Sequence, residues 1–171
     1  MSERAIELKL PDTAATESLG TALAHAFVGS GRGAAVLHLH GELGAGKTTC
    51  VRSLLRALGV GGPIRSPTYT LIEVYPLAAL TCVHVDLYRL QGSAEMEDLG
   101  LRDYLDSACL LLVEWPEKGG TALPPADVEL ALDYHQEARV GRLSARSRPG
   151  LRWLEKLGAD TSLAAYVPNL T

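Results

Sequence analysis

The chain has 171 residues, 47% of them apolar, with a formal net charge of −4. This suits one ordinary globular domain with a sizeable core, and the acidic balance argues against a large autonomous nucleic-acid surface while leaving room for work on RNA through a partner. No apolar run approaches membrane-spanning length and "MSERAIELKL" lacks the basic-then-apolar layout of a signal peptide, so a cytoplasmic chain with no membrane partner is expected.

In chain order, Ala5–Leu10 reads as a strand, followed by a helix from about Thr13 to Val28 capped by Asp12 or Thr13. Residues 34–39, "AAVLHL", form a buried strand, and Lys47–Ala57 carries Val51, Leu54 and Leu55 at helical spacing. Between them "GELGAGKT", residues 41–48, matches the phosphate-loop pattern G-x-x-x-x-G-K-S/T. Its glycines allow close ligand approach, so that successive N–H groups converge on phosphate oxygens, and the following helix adds free donors and the positive end of its dipole. Lys47 is placed to reach the β/γ-phosphates of a nucleoside triphosphate and the Thr48 hydroxyl to sit on Mg²⁺. Lys47 is expected to face solvent when no ligand holds it.

Gly59, Gly61 and Gly62 stop the helix. In "RSPTYTL" Pro67 makes Ser66 extended, and Ser66, Thr68 and Tyr69 offer hydroxyls that a γ-phosphate can order. A plain turn into the strand expected at Tyr69–Tyr75 explains the same residues equally well. The strand Thr81–Val85 ends at Asp86, and the strand Cys109–Glu114 ends at Glu114. Parallel strands carry both carboxylates to the edge that holds the phosphate loop, where one can hold a metal and the other orient an attacking water. Short helices occupy about Ala94–Leu105. "DVELALDY" and "ARVGRLSA" alternate apolar and polar residues as an antiparallel hairpin at the far edge, and a helix near Leu151–Leu157 closes the chain.

Strands alternating with helices imply an α/β sandwich with a mostly parallel central sheet and this C-terminal hairpin, its ligand at the carboxyl ends of the strands. Cys50, Cys82 and Cys109 lack CxxC spacing and read as buried small hydrophobes in a reducing compartment. His84 alternates with Asp86 and is placed to face the site, while His38 and His40 read as packed or edge residues. None of the histidines shows zinc-ligand spacing.

"GELGAGKTT", "SPTYTL", "HVDLYRL" and "LLVEWPEKG" together resemble, in order and approximate spacing, the TsaE (YjeE) family of bacterial ATPases required for threonylcarbamoyladenosine formation in tRNA. The resemblance runs from the first helix to the hairpin. It implies a phosphate-loop NTPase-like fold, with ATP and Mg²⁺ as cofactors and slow hydrolysis in a complex with TsaB and TsaD. TsaD performs the transfer, the ATPase permits repeated turnover, and tRNA is met only through the complex. By position, the resemblance makes Leu43, Gly44, Ala45, Gly46, Lys47 and Thr48 the phosphate cradle, with Thr49 beside it. Thr48 and Glu114 become the Mg²⁺ ligands, and Lys47, Asp86 and Glu114 the catalytic groups. Ser66 and Thr68 fall in the nucleotide-sensitive loop, and Thr16 and Arg139 near the adenosine end. Residues from about 145 to 171 carry no family motif.

A phosphate-loop small-molecule kinase is the competing reading. It calls for a mobile lid rich in arginine, whereas Arg139, Arg142, Arg146 and Arg148 cluster on the expected hairpin or just beyond it. A guanine-nucleotide switch is excluded by the lack of N-K-x-D and D-x-x-G.

Overall fold

Strands that are apolar on both faces belong in the middle of a sheet, because only a strand covered on both sides keeps such residues from water. The computed structural model describes residues 4–31 and 33–168, and its seven strands form one sheet in the order β1–β7–β6–β2–β5–β4–β3. These are β1 (Ala5–Leu10), β2 (Ala35–His40), β3 (Ile72–Pro76), β4 (Thr81–Asp86), β5 (Cys109–Glu114), β6 (Val128–His135) and β7 (Ala138–Ala145). The central strands β6, β2, β5 and β4 run parallel, and β3 pairs antiparallel with β4. β7 is antiparallel to both its neighbours, β6 and β1.

The mostly parallel sheet and the hairpin are as expected, but the hairpin is not the edge. β6 joins β2 directly and β1 covers β7. The reason is visible in β1, where Leu8 and Leu10 are fully buried and need the sheet beside them. The third strand also begins later than expected, at Ile72. Leu71 adopts a left-handed φ of 63° and its N–H returns to the Pro67 carbonyl at 2.7 Å, so Tyr69 and Thr70 belong to a turn.

One face of the sheet is covered by α1 (Thr13–Ser30), α2 (Lys47–Ala57) and α5 (Arg148–Gly158). Among the described residues, the other face carries only α3 (Ser93–Asp98), α4 (Leu101–Tyr104) and short 3₁₀ turns. Leu37, Leu39, Leu110 and Leu112 face the larger core, with Leu19, Phe27, Leu54 and Trp153. Val36, Leu111 and Val113 face the smaller one with Met96 and Leu101. This is the period-two alternation of a strand with both faces covered. Each fully buried leucine contributes about 1.5–3 kcal/mol.

Asp12 caps α1 by accepting the Ala15 N–H at 2.8 Å, and the helix runs two residues past its expected end. α1 meets α2 at Gly20, where an added Cβ would lie 2.3 Å from the Cys50 carbonyl oxygen. Only glycine permits that approach, and it brings the first turns of α1 over the phosphate loop. Within the described residues, the C-terminal stretch without a motif joins the larger core through Ala145, Trp153, Leu154, Leu157 and Leu163, and residues 169–171 lie outside them. Ser147 caps α5, Trp153 packs on Phe27 with ring centroids 5.3 Å apart, and its indole N–H bonds the Leu23 carbonyl at 3.0 Å.

Candidate functional site

β2 delivers the chain to Gly41 at the carboxyl edge of the sheet, and α2 starts at Lys47. Gly46 bridges them with φ 109°, and a Cβ there would stand 3.2 Å from Thr16 Cγ2 and 3.6 Å from the Arg139 side chain. The loop therefore lies between α1 and the hairpin, so Thr16, Arg139 and the phosphate loop share one cleft of about 190 Å³.

Lys47 does not face solvent. It is 4% exposed, donates to the Glu42 carbonyl at 2.9 Å and to the Gly41 carbonyl, and holds its ammonium 4.2 Å from the Trp115 ring centroid. The ammonium finds its acceptors inside its own loop, because carbonyl oxygens six and five residues earlier curl back beneath it. Burial lowers its pKa, and the negative charges of Glu114, Asp86 and Glu117 oppose that shift.

Asp86 and Glu114 are register partners at the ends of β4 and β5. The Thr48 hydroxyl donates to the two Glu114 oxygens at 2.9 and 3.0 Å, and His84 Nε2 approaches Oε1 of the same carboxylate at 2.8 Å. Asp86 accepts the Tyr88 N–H at 3.0 Å and the Thr68 hydroxyl at 3.4 Å. Both carboxylates are nearly inaccessible, at 5% for Asp86 and 2% for Glu114. Burial, reinforced by Glu114, raises the Asp86 pKa above its ordinary value near 3.8, while the Tyr88 and Thr68 hydrogen bonds and His84 pull the other way.

The raised pKa has a stability consequence. A carboxyl group held above its unfolded pKa costs stability once it ionises, so the cost is absent below the ordinary value and grows as pH rises through the folded pKa. Asp86→Asn is therefore expected to raise the melting temperature of the nucleotide-free protein at neutral pH, with the gain vanishing below about pH 4. The same variant is expected to lose ATP turnover more than ATP binding. Melting curves across pH, beside binding and turnover titrations, check both expectations. A variant with wild-type turnover returns Asp86 to the role of a strand-end carboxylate.

Of the predicted residues, Thr16, Leu43, Gly44, Gly46, Lys47 and Thr48 line the cleft. So do Thr49, Thr68, Asp86, Glu114 and Arg139. Two do not. The Ala45 methyl is buried in the larger core, and Ser66 is exposed, with its hydroxyl 2.7 Å from that of Thr68. The structure adds Thr13 and Tyr88, which sequence reasoning missed. Tyr88 sits two residues past Asp86 and packs its ring 5.0 Å from Trp115. Its signals in the sequence were its place just beyond the strand end and its position inside the "HVDLYRL" motif.

Trp115 adopts a left-handed φ of 57°, a conformation costing a non-glycine residue about 1–2 kcal/mol. That turn aims the indole into the cleft beneath the Lys47 ammonium. Adding Mg-nucleotide is expected to draw the ammonium off the ring and change the Trp115 fluorescence. Trp153, 1% exposed in the core, serves as the internal reference. Trp115→Phe is expected to abolish the response, and a full signal in that variant would place the indole outside the event.

Among the described residues no helix is long and apolar enough to cross a membrane. All three cysteines are free and buried. Burial pushes the Cys50 and Cys82 thiols up to about 12 and Cys109 to about 11, which makes them inert packing residues near neutral pH.

A parallel sheet with a phosphate loop between β2 and α2, and two acidic strand ends beside it, defines a phosphate-loop NTPase-like protein. Comparison with known proteins narrows the class. The family model described as "Threonylcarbamoyl adenosine biosynthesis protein TsaE" matches residues 10–143, and the chain belongs to the TsaE family. It is 44% identical over 117 residues to the tRNA threonylcarbamoyladenosine biosynthesis protein TsaE of Haemophilus influenzae, covering 68% of this chain and 74% of that one. The Synechocystis protein of the same name is 39% identical over 123 residues, 69% of this chain and 74% of its own. The crystal structure of Bacillus subtilis YdiB superposes with a TM-score of 0.74 at 25% identity, covering 92% of this chain and 97% of that one.

Proposed function

We propose that the cleft binds ATP with Mg²⁺ and hydrolyses it, and that this activity serves threonylcarbamoyladenosine formation in tRNA. The observation that carries the reading is the meeting of Lys47, Thr48, Asp86 and Glu114 at the mouth of the phosphate loop. The donor set fits the cofactors. A threonine hydroxyl and a carboxylate supply the oxygen ligands that Mg²⁺ requires. Arg139 keeps a buried Nε with no hydrogen-bond partner beside the loop, a donor suited to the nucleotide. Bound Mg²⁺ supplies neutralisation of the charge on the transferring phosphoryl group.

The protein's own groups do the rest. Lys47 exchanges the Gly41 and Glu42 carbonyls for phosphate oxygens, trading one set of acceptors for another of higher charge. Asp86, held by the Tyr88 N–H and the Thr68 hydroxyl, accepts a hydrogen bond from the attacking water and orients it. Thr68 links that carboxylate to Ser66 in the "SPTY" loop, giving the loop a direct contact with the site's chemistry.

The partners in this reading are TsaB and TsaD, with TsaD performing the threonylcarbamoyl transfer and this chain permitting repeated turnover in the cytoplasm. The net charge of −4 supports contact with tRNA only through that complex. The kinase alternative is disfavoured because, of the hairpin arginines, Arg139 lines the cleft while Arg142 and Arg146 are engaged away from it. Arg142 pairs with Glu7 and Asp133, and Arg146 with Glu129. The test is reconstitution with cognate TsaB and TsaD, following ATP hydrolysis and modified tRNA side by side. The expected result is a raised hydrolysis rate and multiple rounds of modification that need this chain. A phosphorylated metabolite, with both outputs indifferent to it, would overturn the reading.

A further inference from the structure

β2 carries His38 and His40, two residues apart, so the strand's pleat places both rings on one face of the sheet. That is the face of Val36 and the smaller core, opposite the face on which Leu110, Leu112 and Glu114 alternate along β5. Glu129 of β6 stands directly beside His38 in register. One ligand atom from each of these three side chains lies within 4.8 Å of the other two. We propose that His38, His40 and Glu129 bind a transition-metal cation of the zinc class, in a site separate from the nucleotide cleft and independent of the functional reading above.

Each side chain has one polar atom engaged and a second one left available. His38 Nε2 lies 3.0 Å from the Pro124 carbonyl, which makes it the protonated nitrogen and leaves the lone pair on Nδ1. His40 turns Nδ1 toward Glu117 Oε2 at 3.5 Å, and its Nε2 is buried with no hydrogen-bond partner. Glu129 uses Oε2 to receive the Arg146 guanidinium at 2.8 and 2.7 Å, leaving Oε1 free to bind. Support by carbonyl, carboxylate and guanidinium is how metal sites orient their ligands, since it sets the tautomer and the ring angle beforehand.

Packing alone accounts for His38, a buried histidine with a satisfied Nε2. It does not account for the buried and unpartnered nitrogen of His40. Around zinc, donor atoms at about 2.0–2.1 Å from the metal in a tetrahedron lie about 3.3 Å apart. Two imidazoles and one carboxylate select zinc, cobalt, nickel or copper over magnesium or calcium. Glu117 and Glu129 set two negative charges against the single charge of Arg146, so the local field favours a cation. Three protein ligands leave a fourth position for water. His40 is the residue before Gly41, so a metal here also anchors the entry to the phosphate loop.

The experiment titrates Co²⁺ and Zn²⁺ into tag-free, nucleotide-free full-length protein. The expected result is one equivalent of Co²⁺ with ligand-field absorption of nitrogen and oxygen ligation, and a melting temperature that rises with Zn²⁺. His40→Ala and Glu129→Gln are each expected to weaken Co²⁺ binding at least about tenfold. Circular dichroism confirms that each variant is folded, and Glu129→Gln keeps the shape while removing the charge. Glu114→Gln, on the other face, is expected to bind Co²⁺ as the parent does. Absence of saturable binding, a signal unchanged in folded His40→Ala and Glu129→Gln, a signal lost in Glu114→Gln, or thiolate charge-transfer absorption would each overturn the proposal.

Discussion

Lys47→Ala is expected to reduce ATP hydrolysis by a factor of about 10²–10³, the loss typical of removing one preorganised donor from a site of developing charge. The magnitude follows from where the ammonium sits. It is buried beside Glu114 and Asp86, with little water to substitute for it, and it is already within its own loop's reach. The stability effect is smaller because two terms oppose. The variant gives up charge-assisted bonds to Gly41 and Glu42, each about 1.5–3 kcal/mol, but also removes a cation whose burial is unfavourable and offsets most of that loss. A net change of about 1 kcal/mol shifts the melting temperature of a chain this size by roughly 2–4 °C. Turnover measured beside thermal melts separates the two effects. A folded variant with parental turnover would sink the assignment of the phosphate loop.

Glu114→Gln is expected to cost more. Its carboxylate meets Thr48, His84 and the end of β4 at once, so it is the point where helix and sheet converge and where the proposed Mg²⁺ would sit. On the proposal that Glu114 ligates Mg²⁺, its loss removes several kcal/mol of transition-state stabilisation, and each 1.36 kcal/mol is tenfold, so hydrolysis is expected to fall by about 10²–10⁴. The Mg²⁺ concentration for half-maximal turnover is expected to rise in the same variant, whereas Asp86→Asn leaves it near the parent's. That contrast divides the labour between the two carboxylates. An unchanged Mg²⁺ requirement in Glu114→Gln would move the cation elsewhere. Glutamine keeps the volume and a hydrogen-bonding oxygen for Thr48, and it removes a charge that is only 2% exposed, so the fold is expected to survive.

The phosphate loop, the strand ends at Asp86 and Glu114, and the pairing of sheet with helices were legible in the residues. Each is written in a contiguous stretch whose glycines, apolar periods and terminal carboxylates act over a few positions. The place of Thr16 and Arg139 at the cleft came from family resemblance, and the residues alone did not predict it. Thr13 and Tyr88 were missed because a threonine at a helix start and a tyrosine after a strand carry no local mark of what faces them.

Local pattern therefore determined that this chain builds a mostly parallel sheet with a phosphate loop and acidic strand ends, since backbone geometry and alternation act between near neighbours. Tertiary structure alone decided the rest. It buried Lys47 against its own loop, put β1 rather than the hairpin at the sheet edge, and drew the C-terminal helix into the core around Trp153. It also set Glu129 beside two histidines some ninety positions away, a cluster that the spacing of histidines along the chain could not show. Such arrangements depend on which strands become neighbours and which side chains lose water together, and those are properties of the assembled sheet rather than of any one segment.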